Sequence, residues 1–203
     1  MASPYDHRRR VGKAHGHHRT ALPLCHGAPI WKTRNMTETL TRIMTERCRI
    51  ERLTVEDAPA LAAITDTSVT SQIPFLPEPF GEGDARALIA DPDFHAVRDA
   101  AGGELLGVIG VHRRDGGVHE VGYWFAAAAR GRGIATEAVR GVVRALAEAR
   151  PGGAIVAECR PGNARSRALL RRAGFVETGA AGQRPGRMLL SWRAEVNDRI
   201  DVC

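Results

Sequence analysis

Apolar and polar residues alternate along several stretches of the chain, and this period of two is typical of strands with one buried face. The alternation predicts strands at 47–53, 94–99, 104–112 and 118–125. The pairs Gly102-Gly103 and Gly116-Gly117 separate the last three strands, and glycine supplies the positive φ that tight hairpins need. We therefore expect an antiparallel meander.

Beyond residue 125 the period of the apolar positions becomes that of a helix. A helix is predicted over 134–149 by the spacing of Ile134, Ala138, Val142 and Ala145. Residues 154–159 predict a buried strand after it, so the connection is a parallel crossover. The expected fold class is α/β of the α+β kind, with a mixed, mostly antiparallel, twisted sheet and helices on both faces.

Polar caps predict where the remaining helices begin. Thr54 is expected to cap a helix, with Asp57 at its third position, and Asp84 to cap a short helix ending near Ala90. The proline-rich stretch 71–81 between them predicts a loop. Asn163 is expected to cap a helix that ends before Gly174. Two closing strands follow at 175–178 and 187–193.

Charge separates the first 43 residues from the rest of the 203-residue chain. These residues carry eight Lys/Arg and two Asp/Glu, whereas the remainder carries 21 basic and 21 acidic residues. A large basic face for nucleic acid is therefore not expected on the remainder. We predict a disordered, His/Arg-rich extension at 1–43 and one folded domain at 44–203. A metal-binding tract, a nucleic-acid arm or a transit peptide are the alternatives for the extension.

The cysteines and the apolar stretches exclude several classes of protein. None of the four cysteines forms a C-x-x-C pair or a zinc-finger spacing, so no metal is expected. No stretch approaches the roughly 18 apolar residues of a membrane helix, and no secretory signal is visible. We expect a cytoplasmic protein that does not bind membranes.

A glycine loop lies between the strand ending at Phe125 and the next helix. The loop and the first helical turn comprise Arg130, Gly131, Arg132, Gly133, Ile134, Ala135 and Thr136. The first amides of a helix have no internal acceptors, and the helix dipole places partial positive charge on them. This segment therefore predicts a site for a phosphate or pyrophosphate, to which the two arginines add charge.

Two other phosphate-binding loops fit less well. The Walker pattern is absent from the sequence. The dinucleotide fingerprint matches at Gly131 and Gly133, but Thr136 replaces its third glycine. That loop also follows the first strand of its domain, whereas this one follows a meander and has only about 70 residues after it.

Three motifs of the chain resemble those of the GCN5-related N-acetyltransferase (GNAT) family. Arg130-x-x-Gly133-x-Ala135 resembles the acyl-CoA pyrophosphate loop. Gly122-Tyr123-Trp124-Phe125 and the stretch Asn163 to Phe175 resemble the branch that contains RimJ and RimL, ribosomal-protein N-terminal acetyltransferases. The likeness covers about residues 44–193. It implies the GNAT fold, acetyl-CoA as co-substrate and an amine as acceptor.

The resemblance also implies which residues hold acetyl-CoA. The loop residues 130–136 would bind the pyrophosphate. Backbone groups of Trp124, Phe125 and Ala126 would pair with the pantetheine arm, with the Phe125 N–H polarising the thioester carbonyl. Asn163 would contact the pantetheine. The arginines of the helix after Asn163 are interpreted as a solvated face, and contact of Arg167 or Arg171 with the phosphorylated adenosine end is the alternative.

In the family the amine attacks the thioester directly, so a base and a proton donor suffice. Glu120 is the predicted base, because the family often carries a glutamate on this strand. His119 is the alternative, since its ordinary pKa suits proton transfer near neutral pH. His95 and His112 are interpreted as surface strand residues.

Ser166 is the predicted partner of the leaving thiolate. Relatives outside the branch place a tyrosine seven residues after the asparagine, and Leu170 occupies that position here.

The expected acceptor is a protein N-terminal α-amine, with a small-molecule amine as the alternative. The branch is compatible with a homodimer. An inactive acyl-CoA-binding sensor and, less well supported, a dinucleotide-dependent oxidoreductase are the rival functions.

Overall fold

A computed structural model of the chain describes residues 42–193. The predicted extension therefore lies almost wholly outside the described residues, and the boundary at residue 43 stays a prediction. Within the described range the strands are β1 (Arg42–Met44), β2 (Cys48–Arg52), β3 (Phe94–Asp99), β4 (Leu105–Arg113), β5 (His119–Phe125), β6 (Ile155–Cys159), β7 (Phe175–Ala181) and β8 (Met188–Trp192). They form one sheet in the order β1-β2-β3-β4-β5-β6-β8-β7.

Helices cover both faces of this sheet. They are α1 (Ala58–Ile64), α2 (Thr67–Thr70), α3 (Glu82–Ile89), α4 (Ile134–Ala149) and α5 (Ala164–Arg172). Short 3-10 turns lie at Val55–Asp57, Asp115–Gly117 and Ala127–Ala129. The sequence did not predict α2, which has only four residues. None of the helices in the described range is long and apolar enough to cross a membrane.

The predicted meander and crossover are confirmed. Strands β2 to β5 pair antiparallel in chain order, and β5 pairs with β6 in parallel. Helix α4 begins and ends at the predicted residues. It makes the crossover because its apolar stripe packs on the sheet, with Val139, Val143 and Leu146 buried.

Two apolar cores lie on opposite faces of the sheet. One contains Val121 and Phe125 of β5 together with the buried residues of α4 and α5. The other contains Trp124 of β5, Phe94 of β3 and the buried residues of α1 and α3. The alternation along β5 is therefore as predicted, and it assigns each residue of this strand to one face.

The helix caps agree with the predictions at Thr54 and Asn163 and differ at Asp84. Asp57 accepts the Thr54 N–H at 2.8 Å, and Asn163 Oδ1 accepts the Ser166 N–H at 3.0 Å. Helix α3, however, begins at Glu82 with Gly81 as its N-cap. Asp84 acts from the third helical position, where it accepts the Gly81 N–H at 2.9 Å. The prediction was wrong by three residues because Asp84 supplies the second half of a capping box.

Candidate active site

Strands β5 and β6 diverge, and a wedge opens between their carboxyl ends. They pair only at His119 with Ile155 and at Glu120 with Val156. Beyond these pairs β5 is bonded to β4 on its other side, and β6 to β8. Among residues 42–193, the facing edges of the two strands therefore have no partner strand along this wedge. An extended ligand could add itself to such an edge by backbone hydrogen bonds.

The register of β5 decides which of its backbone groups face the wedge. The Ala126 N–H donates to the Leu106 carbonyl at 2.9 Å, so it points towards β4. Backbone groups alternate in direction along a strand, so those of Trp124 also point to β4 and those of Phe125 to the wedge. Of the three residues predicted to pair with pantetheine, the structure thus directs only Phe125 towards the wedge.

The glycine loop follows the open end of the wedge. Gly131 and Gly133 have φ of +75° and +79°, a conformation that L side chains rarely adopt. In the described part of the chain, the N–H groups of residues 131–136 donate to no backbone carbonyl. Ile134, Ala135 and Thr136 supply three of these groups from the first turn of α4. This segment, which we call the amide cradle, is suited to an anion.

The arginines of the loop have different environments. Arg130 donates from Nε to the Phe125 carbonyl at 3.1 Å and from Nη1 to Ser68 Oγ at 3.0 Å. It therefore connects the end of β5 to α2. The Arg132 side chain is exposed beside the amide cradle.

The β1–β2 turn supports the cradle from its outer side. Arg47 donates from Nη1 to the Arg132 carbonyl at 3.0 Å and from Nε to Glu137 at 2.7 Å. Burial favours the neutral form of Glu137, but hydrogen bonds from Thr45 and Arg47 outweigh it and lower the pKa of this carboxyl. Glu137 thus stays ionised and fixes the first turn of α4.

Two hydroxyl groups meet across the wedge. The Tyr123 hydroxyl lies 3.0 Å from Ser166 Oγ, which brings the middle of β5 to the first turn of α5. Burial raises the pKa of Tyr123 far above its ordinary value, so its O–H remains a donor near neutral pH. Ser166 was predicted from the sequence as a site residue, whereas Tyr123 was not. The alternation along β5 was the signal for Tyr123, since it faces the same side as Phe125.

The Arg167 side chain is directed from α5 towards β7. It donates from Nη2 to Glu177 of β7 at 2.8 Å, and Arg171 donates to the same carboxylate. The structure therefore holds the predicted ligand of the adenosine end in an exposed ion pair.

Glu120 belongs to a cluster of four charged side chains. Arg114 donates from Nε to Glu120 at 2.8 Å and from Nη2 to Glu158 at 2.7 Å, and Arg184 contacts both carboxylates. We call these four residues the Arg/Glu cluster. Only 7% of the Glu120 side chain is exposed, and none of the Glu158 side chain is. The predicted base is therefore occupied by two guanidinium groups.

Glu158 fixes the β7–β8 hairpin onto this face of the sheet. It accepts the Gln183 N–H at 2.6 Å and Arg184 Nε at 2.9 Å. A Cβ at Gly182 would lie 2.6 Å from the Glu158 carboxyl carbon, so only glycine fits there. Neither Arg114 nor Arg184 was identified from the sequence, because this cluster joins segments far apart in the chain.

The histidines are buried, contrary to two of the interpretations above. His95 and His112 expose only 5% and 8% of their surface, so the prediction that they are surface residues was wrong. His119 is also buried, at the closed end of the wedge where β5 still pairs with β6. Burial and the charges of Arg150 and Arg113 lower the pKa of His119.

A groove of about 700 Å³ borders the amide cradle on its outer side. It lies between the β1–β2 turn and α4 and reaches from Gly133 and Thr136 to Glu148. Its lining mixes arginines and glutamates, so its charge favours no single class of ligand. The residues that the structure describes contain no group of three or more side chains that could hold a metal ion.

Comparisons with known proteins agree with this geometry. The model of the acetyltransferase (GNAT) domain family matches residues 47–176, which is more than half of the chain. Comparison with curated protein sequences gave no match.

Solved structures share the fold. A GNAT-family acetyltransferase from Bacillus anthracis matches with a TM-score of 0.68 and 23% identity, over 74% of this chain and 96% of that one. A putative ribosomal-protein-serine acetyltransferase from Vibrio cholerae matches with a TM-score of 0.63 and 17% identity, over 74% and 95%. The microcin C7 self-immunity acetyltransferase MccE, solved with acetyl-CoA and AMP, matches with a TM-score of 0.61 and 16% identity, over 74% and 94%.

The family match, the diverging strands and the amide cradle point to one conclusion. A glycine loop that opens a helix after an antiparallel meander is not the arrangement of a dinucleotide-binding domain, so the oxidoreductase alternative fails. The chain belongs to the GNAT family and is an acetyl-CoA-dependent acetyltransferase.

Proposed function

We propose that this protein transfers the acetyl group of acetyl-CoA to a primary amine, and that the preferred acceptor is the N-terminal α-amine of a protein or peptide. The observation that carries the proposal is the continuity of the wedge with the amide cradle. One molecule of acetyl-CoA would place its extended pantetheine arm along β5 and its pyrophosphate at the first turn of α4.

The residues present fit this co-substrate. The amides of residues 131–136 match the oxygens of a pyrophosphate, and the exposed Arg132 adds charge beside them. The Phe125 N–H, directed into the wedge, would polarise the thioester carbonyl. Asn163 caps α5 with its Oδ1, and its side-chain N–H groups would then donate to the pantetheine arm.

Tyr123 and Ser166 are the proposed proton donors for the leaving thiolate. Their hydroxyls are 3.0 Å apart, and the buried tyrosine remains protonated. A proton could pass from either hydroxyl to the sulfur. Tyr123 would thus supply the group that Leu170 cannot.

Direct attack by the amine needs no covalent nucleophile, and the described cysteines favour this mechanism. Cys48 and Cys159 are both buried. Burial raises the pKa of each thiol, so neither is an activated thiolate. We infer that acetyl-CoA and the amine react in a ternary complex.

The preference for an α-amine follows from proton chemistry. An α-amine with a pKa near 8 is roughly 10% neutral at pH 7, whereas a lysine amine near 10.4 is neutral at about one part in 2,500. A single weak base is adequate only for the first. Structures named as ribosomal-protein acetyltransferases are among those that share the fold, which agrees with a RimJ/RimL-like role.

The rival function of an inactive acyl-CoA-binding sensor is not supported by the family assignment. The contacts of Arg114 and Arg184 with the Glu120 carboxylate concern only which group takes the amine proton.

Thiol release from acetyl-CoA by the full chain tests this proposal. The substrates are a peptide with a free N-terminal alanine and no lysine, and the same peptide N-acetylated and carrying one lysine. We expect release with the first at a kcat/KM at least about 10-fold higher than with the second. Preference for the second would overturn the choice of acceptor. Binding of acetyl-CoA without thiol release for any amine would overturn the proposed function as a whole.

A further inference from the structure

The backbone of β6 faces the wedge at Glu158. The Ala154 carbonyl, just before β6, accepts the His119 N–H at 2.9 Å and so points towards β5. Backbone groups alternate in direction along a strand, so those of Glu158 point the same way. The residue opposite Glu158 on β8 agrees, because the Leu189 carbonyl accepts the Thr178 hydroxyl and thus points away towards β7. The Glu158 carbonyl therefore borders the wedge beyond the last pair of β5 with β6.

Arg187, which precedes β8, spans the wedge from this carbonyl. Its Nη1 lies 3.5 Å from the Glu158 carbonyl oxygen, and its Nη2 donates to the Gln72 carbonyl at 3.1 Å. Gln72 follows α2, which Arg130 connects to the Phe125 carbonyl at the end of β5. Arg187 thus connects the β6 edge of the wedge with the segment beside the end of β5, where the thioester would lie.

This contact lies on the face of the sheet that α1 and α3 cover. Val69 and Leu76, on either side of Gln72 in the chain, belong to the apolar core of that face. The Tyr123 side chain packs on the opposite core, and its hydroxyl contacts Ser166 there. An acceptor that enters on the Gln72 side would therefore reach the thioester from the side opposite the proposed proton donors of the thiolate.

The charge of Arg187 has no carboxylate partner in an ion pair among residues 42–193. Both of its acceptors are neutral backbone carbonyls. The carboxylates of Glu120 and Glu158 are bound by Arg114 and Arg184 instead. A guanidinium has five N–H groups in a planar fork, so the half-buried Arg187 retains donors that match a carboxylate.

We propose that Arg187 selects acceptors by binding a carboxylate within the first two residues of the acceptor peptide. The inference rests on the proposed α-amine acceptor and narrows its chemical class. In a peptide the α-carboxyl group of the first residue forms the peptide bond. The carboxylates nearest the amine are therefore the side chains of aspartate or glutamate at the first or second position. A cation at this entrance also disfavours a basic residue there.

Thiol release by the full chain with four lysine-free peptides tests this selection. One pair begins with aspartate or asparagine followed by alanine, and the other begins with alanine followed by aspartate or asparagine. We expect kcat/KM of the wild-type protein to be about 10-fold higher for the aspartate peptide of at least one pair, because a charge-assisted contact contributes a factor of that order. The difference should lie in KM, since the contact forms before the chemical step. The pair that shows it identifies the position of the carboxylate.

Variants of Arg187 assign the preference to this side chain. Arg187→Gln should reduce it to less than about twofold by lowering kcat/KM for the aspartate peptide alone. Arg187→Glu should reverse it in favour of a peptide with arginine at the same position. Arg187→Lys keeps the charge and should retain the preference, which covers the case that Arg187→Gln folds poorly. Arg86→Gln is the matched control, because Arg86 is an exposed arginine of α3 paired with Glu82 and should leave the preference unchanged.

Equal losses for the aspartate and asparagine peptides in Arg187→Gln would show that Arg187 only connects β8 with the segment after α2, and would overturn the inference. The absence of any preference in the wild-type protein would overturn it as well. Both results leave the proposed function in place. Absence of thiol release by the wild-type protein with any amine would overturn the proposed function, and the inference with it.

Discussion

The two ends of β5 differ in whether their polar groups have partners within the protein. At its carboxyl end the amide cradle carries a run of N–H groups without backbone partners in the described chain. Near its amino end the Arg/Glu cluster holds two glutamates and two arginines that bind one another. The first region offers N–H donors to water or to a ligand, whereas the polar groups of the second are already paired within the fold.

This difference distinguishes polar groups that can bind a ligand from polar groups that stabilise the fold. Buried or preorganised donors that lack a partner cost free energy, and an anion supplies the missing acceptors. Buried charges that are paired contribute to the fold, and they become costly only when one partner is removed. Charged residues near a site are therefore a poorer guide to binding than backbone groups without partners.

Removal of Glu158 tests the structural half of the comparison and has the largest expected effect. Glu158→Ala leaves Arg114 and Arg184 without one of their acceptors, so we expect unfolding free energy to fall by about 3–5 kcal/mol in urea titrations. Glu177→Ala is the control, because Glu177 also binds two arginines but in an exposed pair. Its loss should be far smaller, and equal losses would show that burial is not what matters.

Substitution in the cradle tests the binding half. Gly133→Val places a branched side chain at φ +79° with its Cβ 3.3 Å from Arg47 Nη2. We expect the calorimetric Kd for acetyl-CoA to rise about 100-fold, since several amide contacts are lost together. Gly116→Val is the control, because Gly116 has φ +72° but lies in a distant open turn. Similar losses in both variants would assign the effect to backbone strain alone.

Ser166→Ala should affect chemistry more than binding. The variant retains the N–H that Asn163 caps but loses the hydroxyl that contacts Tyr123. We expect kcat to fall about 10-fold, with acetyl-CoA affinity changed by less than about twofold. Tyr123→Phe should give a similar result. An unchanged kcat in both variants would remove the hydroxyl pair from the mechanism.

The smallest effect concerns Glu137, which supports the cradle without belonging to it. Its folded pKa is lowered, so its contribution to stability is present above its unfolded pKa of about 4.3 and is lost as the pH falls through the folded value. Glu137→Gln should lower stability at pH 7 by less than about 1 kcal/mol and have no effect at pH 2. Urea titrations at both pH values measure this, and an equal effect at both would contradict the assignment.

Most of the fold could be predicted because local patterns and long-range packing agree. The boundaries of α4 follow from its apolar stripe and the glycines beside it, and the meander follows from alternation and glycine turns. Helix α2 could not be predicted, since four residues are too few to show a period. The N-cap of α3 was misplaced because one aspartate can serve either end of a capping box.

Only those parts of the site that consist of backbone groups could be predicted from the sequence. The glycines identify the loop at 130–136, and the alternation along β5 identifies Phe125. The partners of Glu120 were not predictable, because Arg184 belongs to a hairpin 64 residues further along the chain. The burial of His112 likewise depends on Phe94, from a different strand.

The central claim is that acetyl-CoA binds to the amide cradle and along the adjoining edge of β5. The most direct measurement is a two-dimensional ¹H–¹⁵N NMR titration of the full chain with acetyl-CoA. The account predicts that the largest shifts occur at the amides of residues 131–136 and of Phe125. Shifts confined to the outer groove between Arg140 and Glu148, with those amides unchanged, would contradict it.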